Sequence, residues 1–147
     1  TTLCGLFIHG ERALVVHVGD SRCYLFRQGV ARQLTSDHSW LNEQVQAGLL
    51  TPEEAEQSDL KHIITRSVGF EREVHADLIA TSLMPGDAFL LCSDGMYMYF
   101  EDPELPGLLT DGDVKDVPTA LIDRANAGGG HDNITNVVVR VLGGPEQ

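Results

Sequence analysis

The sequence predicts an α+β fold in which antiparallel strands and short helices are segregated along the chain. Three observations carry this. Four strand-like runs crowd into the first 34 residues, joined by Gly-bearing turns far too short for a parallel crossover, so neighbours are expected to pair antiparallel. The period then lengthens to helical spacing over residues 40–58. Finally, the apolar pentamer Ala88–Cys92 reads as a strand covered on both faces, which requires a layer on either side.

Taken in order, Leu3–Ile8 is a short apolar strand turned by His9-Gly10-Glu11, and Ala13–Val18, Cys23–Arg27 and Val30–Leu34 follow. Ser39 caps a helix over Trp40–Ala47, with Gly48 ending it. Trp40, Leu41 and Val45 form its expected core stripe. Thr51-Pro52-Glu53-Glu54 is a capping box with Pro at the first helical position, and that helix ends near Gln57 or Ser58. Strands are expected again over His62–Val68 and Val74–Leu83. The turn Met84-Pro85-Gly86-Asp87 then leads into Ala88–Cys92. Helical pieces follow Gly95 and span Pro103–Leu109. A clearer helix over Val117–Ala127 is capped by Asp116 and stopped by Gly128-Gly129-Gly130. Ile134–Leu142 is the last strand. No repeat or linker divides the chain, so it reads as one unit.

Its 147 residues can bury a real core. Ten Lys and Arg against 22 Asp and Glu leave a net charge of −12, which opposes binding to nucleic acid or to an anionic membrane. No apolar run approaches the ~18 residues of a membrane span. Three cysteines (Cys4, Cys23, Cys92) without a Cys-x-x-Cys pair read as small buried hydrophobes in a reducing compartment, and the expected location is cytoplasmic.

Three aspartates share one kind of address. Asp20 follows a strand and Gly19; Asp94 follows the buried pentamer and precedes Gly95; Asp132 follows three glycines and precedes the last strand. A carboxylate at a core's edge needs hydrogen bonds, a cation or a metal, and Arg22 is the one cation close by in sequence, beside Asp20. All-oxygen donors select Mg²⁺, Mn²⁺ or Ca²⁺, while Asx-turns and helix caps are the competing explanation. Other chemistry-like patterns favour plain readings. Asp37-His38-Ser39 has triad residue types, but adjacent side chains point apart and Ser39 serves as a cap. Asp111-Gly112-Asp113 lacks the register of a calcium loop. His17 and His75 read as structural strand residues, and His131 has a site-adjacent address.

Five motifs stand in order: Val18-Gly19-Asp20-Ser21-Arg22, Leu34-Thr35-Ser36-Asp37-His38-Ser39, Ile64-Thr65-Arg66-Ser67-Val68-Gly69, Cys92-Ser93-Asp94-Gly95 and Gly130-His131-Asp132-Asn133-Ile134-Thr135. Together, over residues 3 to 142, they resemble the metal-dependent protein Ser/Thr phosphatases of the PP2C (PPM) family in its bacterial form. The resemblance implies an α-β-β-α sandwich of two antiparallel sheets flanked by helices. It also implies two core Mn²⁺ or Mg²⁺ ions with Asp94 and Asp132 as ligands, a third ion shared by Asp20 and Asp94, and Asn133 orienting Asp132 from behind. Residues 42 to 62 correspond to a flap beside the active site, in which Lys61 stands near a usual Arg. The implied reaction is attack of a metal-bridging hydroxide on phosphoserine or phosphothreonine in proteins, opposing a cognate kinase.

The family's early acidic ligand, its bridging Asp-Gly-x-Gly-Gly ligand, its phosphate-binding Arg and its proposed general-acid His have no counterpart in the sequence. The chain therefore reads as the C-terminal portion of one such domain, lacking its N-terminal third and inactive by itself. The alternative is a catalytically inactive module of the same fold that binds phosphoproteins or a partner chain. Strand faces left open by the missing part are expected to favour self-association.

Overall fold

The computed structural model describes residues 1–99, 104–110 and 112–143. Among the described residues, seven strands form two antiparallel sheets. One has the order β1-β2-β5, from Leu3–His9, Arg12–Val18 and Asp77–Ser82; the other has the order β4-β3-β6-β7, from Val30–Gln33, Arg22–Arg27, Ala88–Cys92 and Asn136–Arg140. The helices are α1 (Trp40–Gln46), α2 (Pro52–Glu56), α3 (Asp94–Tyr97), α4 (Leu105–Thr110) and α5 (Val117–Ala127).

Strand alternation sorts side chains into two cores. Between the sheets, Ala13 and Val15 of β2 meet Cys23 and Leu25 of β3 and Phe89 and Leu91 of β6. The opposite faces of β3 and β6 carry Tyr24, Phe26, Leu90 and Cys92, which pack on Met96 of α3, Leu105 and Leu109 of α4, and Leu121 and Ala125 of α5. β6 is thus buried at all five positions, as its uninterrupted apolar sequence predicts. On the outer side of the β1-β2-β5 sheet, Phe7, Leu14 and Leu78 are exposed, and no helix covers them among the described residues.

Several expectations need correcting. β1–β2 and β3–β4 are hairpins, but β2 and β3 do not pair: the three residues Gly19–Ser21 carry the chain from one sheet to the other. Close spacing here reflects a crossing at the sandwich edge, made possible by Gly19 at φ +105°. The stretch His62–Val68 is not a strand; its one pairing is an isolated bridge from Ile64 to Ser39, because too few backbone groups face a partner. β5 begins at Asp77, so His75 is an exposed loop residue. Trp40 is exposed and only Leu41 of its stripe is buried, since α1 packs on the short α2 and not on a sheet. Ser39 caps α1 by accepting from the Asn42 N–H, and Thr51 and Glu54 complete their capping box. Asp116 makes no side-chain cap bond to α5, because it sits in helical geometry (φ −89°, ψ −24°) that turns its carboxylate from the first turn. Phe100 to Pro103 and Asp111 lie outside the described residues, and the start of the Pro103–Leu109 helix with them.

Candidate metal centre

The sheet crossing delivers Asp20. A Cβ on Gly19 would lie 2.4 Å from the Thr2 Cγ2, so only glycine permits this turn beside β1. Arg22, the one cation nearby in sequence, turns away from Asp20. Its Nε and Nη2 grip the Asp37 carboxylate at 2.7 to 3.1 Å, its Nη1 donates to the Tyr24 hydroxyl (3.1 Å), and its guanidinium stacks 3.7 Å above the Tyr97 ring. Asp20 is left half-buried without an ion pair among the described residues. Burial, and then the negative charge of Asp94, push its carboxyl above the ordinary range.

Asp94 and Asp132 are brought together by two abutting loops. β6 ends at Cys92, and the Ser93 hydroxyl donates to the Asn133 carbonyl (3.0 Å) while accepting from the Thr135 N–H (3.1 Å). The Ser93 N–H donates to the Thr135 carbonyl (3.1 Å), so one serine staples the Asp94 loop to the Asp132 loop. The approach is so close that a Cβ on Gly95 would fall 2.5 Å from the Asn133 carbonyl oxygen and 3.2 Å from the Asp132 Cβ. Each carboxylate spends one oxygen locally: Asp94 Oδ1 accepts from the Gly95 N–H (2.9 Å) and Asp132 Oδ1 from the Asn133 N–H (2.6 Å). Asn133 therefore meets Asp132 through its backbone.

Beside Asp20 and Asp94 opens a cavity of about 390 Å³. Arg22, Tyr97 and Leu41 line it, together with Asn42, Pro52, Lys61 and His62 from the expected flap region. Asp132 is exposed and lies outside this cavity, and His131 beside it is exposed as well. Burial drives the Tyr97 hydroxyl well above its ordinary pKa, opposed by Arg22 and reinforced by Asp37, Asp20 and Asp94, so it stays protonated at neutral pH. The cysteines are unpaired thiols, with Cys23 and Cys92 buried, and burial pushes Cys92 up to about 12.

The donor set fits a hard divalent cation. It is all oxygen, and Asp94 and Asp132 each keep an oxygen without a donor among the described residues. Asp20 and Asp94 repel one another in a partly buried space, and Arg22, committed to Asp37, offsets only part of this. The three carboxylates are not drawn into a single tight trio: among the described residues, ligand atoms gather within 4.8 Å only at His17, His38 and Asp77. Sequence reasoning placed none of these three at a shared site. No local signal joined them: His17 faces Asp77 only through the β2–β5 register, and His38 reaches them from a loop.

Over most of its length the chain is similar to bacterial protein phosphatases. Residues 1–44 match the Protein phosphatase 2C family. The protein phosphatase PhpP of Streptococcus pneumoniae is 44% identical over 140 residues, 95% of this chain and 57% of that protein. The Mycobacterium tuberculosis serine/threonine phosphatase PstP/Ppp superposes with a TM-score of 0.91 at 36% identity, covering 97% of this chain and 60% of that one. A structure of the PstP catalytic domain in complex with two manganese ions superposes with a TM-score of 0.85 at 37% identity, over 97% and 59%. The chain spans little more than half the length of the pneumococcal relative. With its five motifs, two antiparallel sheets and adjoining Asp94 and Asp132 loops, the chain matches the protein phosphatase 2C family model over residues 1–44 and is similar to bacterial protein phosphatases over nearly all of its length.

Proposed function

We propose that this chain is the C-terminal portion of a metal-dependent Ser/Thr protein phosphatase domain. The observation that supports the reading is the abutment of the Asp94 and Asp132 loops, with Asp20 beside Asp94 in one cavity and none of the three carboxylates in an ion pair among the described residues. Asp94 and Asp132 would hold two core Mn²⁺ or Mg²⁺ ions together with ligands from outside this sequence. Asp20 and Asp94 would share a third. Bound divalent ions supply Lewis-acid polarisation of a phosphoryl oxygen and acidify water. The Ser93 staple and the Asn133 N–H orient the two core carboxylates. Lys61 and His62 place basic groups on the flap wall, where a phosphorylated segment would lie.

The substrates would be phosphoserine and phosphothreonine proteins modified by a cognate kinase in the cytoplasm. No helix among the described residues is long and apolar enough to cross a membrane. The exposed Phe7, Leu14 and Leu78 face would support self-association of the isolated chain.

The test is Mn²⁺-dependent phosphate release from a phosphothreonine peptide by the full-length protein, with Asp94→Asn alongside. A fall of at least about 100-fold in kcat/KM is expected for the variant, since a charged ligand to the reacting centre is lost. Undiminished turnover would overturn the assignment. Phosphopeptide binding without hydrolysis by the full-length protein would favour the inactive-module alternative.

A further inference from the structure

Away from the three aspartates, the described residues gather one more set of titratable side chains, His17, His38 and Asp77. His17 faces Asp77 across the β2–β5 pairing on the inner side of the sheet. His38 arrives from the segment after β4, its ring 4.7 Å from that of His17 with 35° between planes. Hydrogen bonds join two of the three, His38 and Asp77, while both ring nitrogens of the buried His17 have no hydrogen-bond partner among the described residues and its ring only packs on His38. The Gly19 N–H donates to His38 Nδ1 (3.0 Å), so the neutral ring carries its proton on Nε2, which donates to Asp77 Oδ2 (3.1 Å); Arg66 Nη1 also lies 3.0 Å from Nε2, and with this tautomer that is a contact between two donors bridged by the Asp77 carboxylate. Both nitrogens of His38 are thereby used. Arg66 Nη1 donates to Asp77 Oδ1 (2.9 Å) and to the His75 carbonyl (3.1 Å), so a guanidinium already occupies the flank on which an ion would meet that carboxylate.

What the His38–Asp77 pair holds is the turn that carries Asp20. His38 takes both polar groups of Gly19: its ring accepts from the N–H, and its own backbone N–H donates to the Gly19 carbonyl at 2.8 Å. The preceding residue, Asp37, grips Arg22 two positions beyond Asp20. Adjacent side chains point apart, and here they clasp the chain on either side of one carboxylate. The His38 carbonyl accepts from the Thr65 N–H (2.8 Å), and the Asp77 contact reaches Arg66, so the clasp is anchored to the return from the flap.

The geometry points to His38 as a positioning residue for Asp20, acting through Gly19, with Asp77 and Arg66 fixing the ring. This rests on the reading of Asp20 as a ligand of the third cation. Nearby partners that orient metal ligands are each worth 10- to 100-fold in metal affinity.

The test is direct Mn²⁺ binding by the full-length protein, read from the electron paramagnetic resonance signal of the free ion. Asp20→Ala defines the Asp20-dependent site. His38→Ala is expected to weaken that same site about tenfold or more, and to add nothing in the Asp20→Ala background. His38→Asn presents an amide oxygen near the position of Nδ1 and should retain binding, whereas His38→Gln reaches the Nε2 position, loses the Gly19 bond and should behave like Ala. Wild-type affinity in His38→Ala, additive losses in the double variant, or equal rescue by Asn and Gln would overturn the inference. Nitrogen-15 NMR of the unaltered protein decides the clasp without any variant: an Nε2–H tautomer at His38 and a slowly exchanging Gly19 amide are expected, and an Nδ1–H tautomer overturns it. Unchanged Mn²⁺ binding in Asp20→Ala would sink the ligand reading of Asp20 instead, a separate outcome.

Discussion

Leu78 and Leu90 sit in strands of similar length in the same sandwich, yet one is 66% exposed and the other fully buried. The difference lies in what stands above each sheet. The β4-β3-β6-β7 sheet is covered on one face by its partner sheet and on the other by α3, α4 and α5. The β1-β2-β5 sheet has only its inner face covered by described residues. A strand's sequence period therefore reports the number of layers around it. Asp-Leu-Ile-Ala-Thr-Ser in β5 alternates in burial, and Ala-Phe-Leu-Leu-Cys in β6 does not. Two of the candidate ligands, Asp20 and Asp94, come from the junction of the two regimes, where Gly19–Ser21 cross between sheets and β6 ends.

The largest effect that would break this contrast belongs to Phe89, fully buried between the sheets. Phe89→Ala should cost about 3–5 kcal/mol of unfolding free energy by urea titration. A loss below about 1 kcal/mol would mean that the inter-sheet core is not the main support of the fold. Next comes the turn into β6. Asp87 is 2% exposed, held by Arg27 Nε and Nη2 (2.8 and 2.7 Å) and by the Met84 N–H (2.8 Å). Asp87→Asn should cost about 1–3 kcal/mol. The Arg27 guanidinium holds this carboxyl below the usual carboxylate range, against the opposing effect of burial. Its folded pKa is depressed, so the contribution is present above the unfolded value of about 3.9 and is lost as pH falls through the lower folded value. Acid titration of stability should accordingly be flatter in Asp87→Asn than in the unaltered chain below about pH 4.

Much of the fold and part of the site are legible in the sequence for the same reason: period and punctuation are local. The apolar pentamer, the Thr51 capping box and the stop at Gly48 all act within a few residues. The three aspartates are legible because each combines a strand end with a glycine, and the structure joins the Asp94 and Asp132 loops through Ser93. What stays hidden depends on partners distant in sequence. Nothing local tells that Gly19–Ser21 crosses between sheets and does not close a hairpin, or that Arg22 passes over the neighbouring Asp20 for Asp37, 15 residues away. The His17, His38 and Asp77 cluster needs a cross-strand register and a loop to meet. Trp40 misleads because an indole in a helix stripe has the look of a core residue, and only the absence of a sheet beneath α1 exposes it.

Smaller effects separate the flap from the sandwich. Thr51→Ala removes the cap of the five-residue α2, which has no buried residue. About 1 kcal/mol of local stability should be lost. Hydrogen exchange at residues 52–57 should quicken while the global urea midpoint stays put, because so little of the core rests on this helix.

The smallest stability change is expected on the open sheet face, and it is the sharpest check of the contrast. Leu78 stands in the cross-strand row formed with Val16 and Gly5, beside the row of Phe7, Leu14 and Ala80, so Phe7, Leu14 and Leu78 share one uncovered surface. Replacing an exposed leucine removes little buried contact, and Leu78→Ser should shift unfolding free energy by no more than about 0.5 kcal/mol. If two copies of the isolated chain meet through this surface, the same change strips apolar area from both partners at once, because a two-fold interface uses each residue twice. Sedimentation velocity should then show concentration-dependent association for the unaltered 147-residue chain and weaker association for Leu78→Ser. A monomer at all concentrations in both would show that an exposed sheet face of this size is tolerated in water, and the exposure of Leu78 would carry no consequence for assembly.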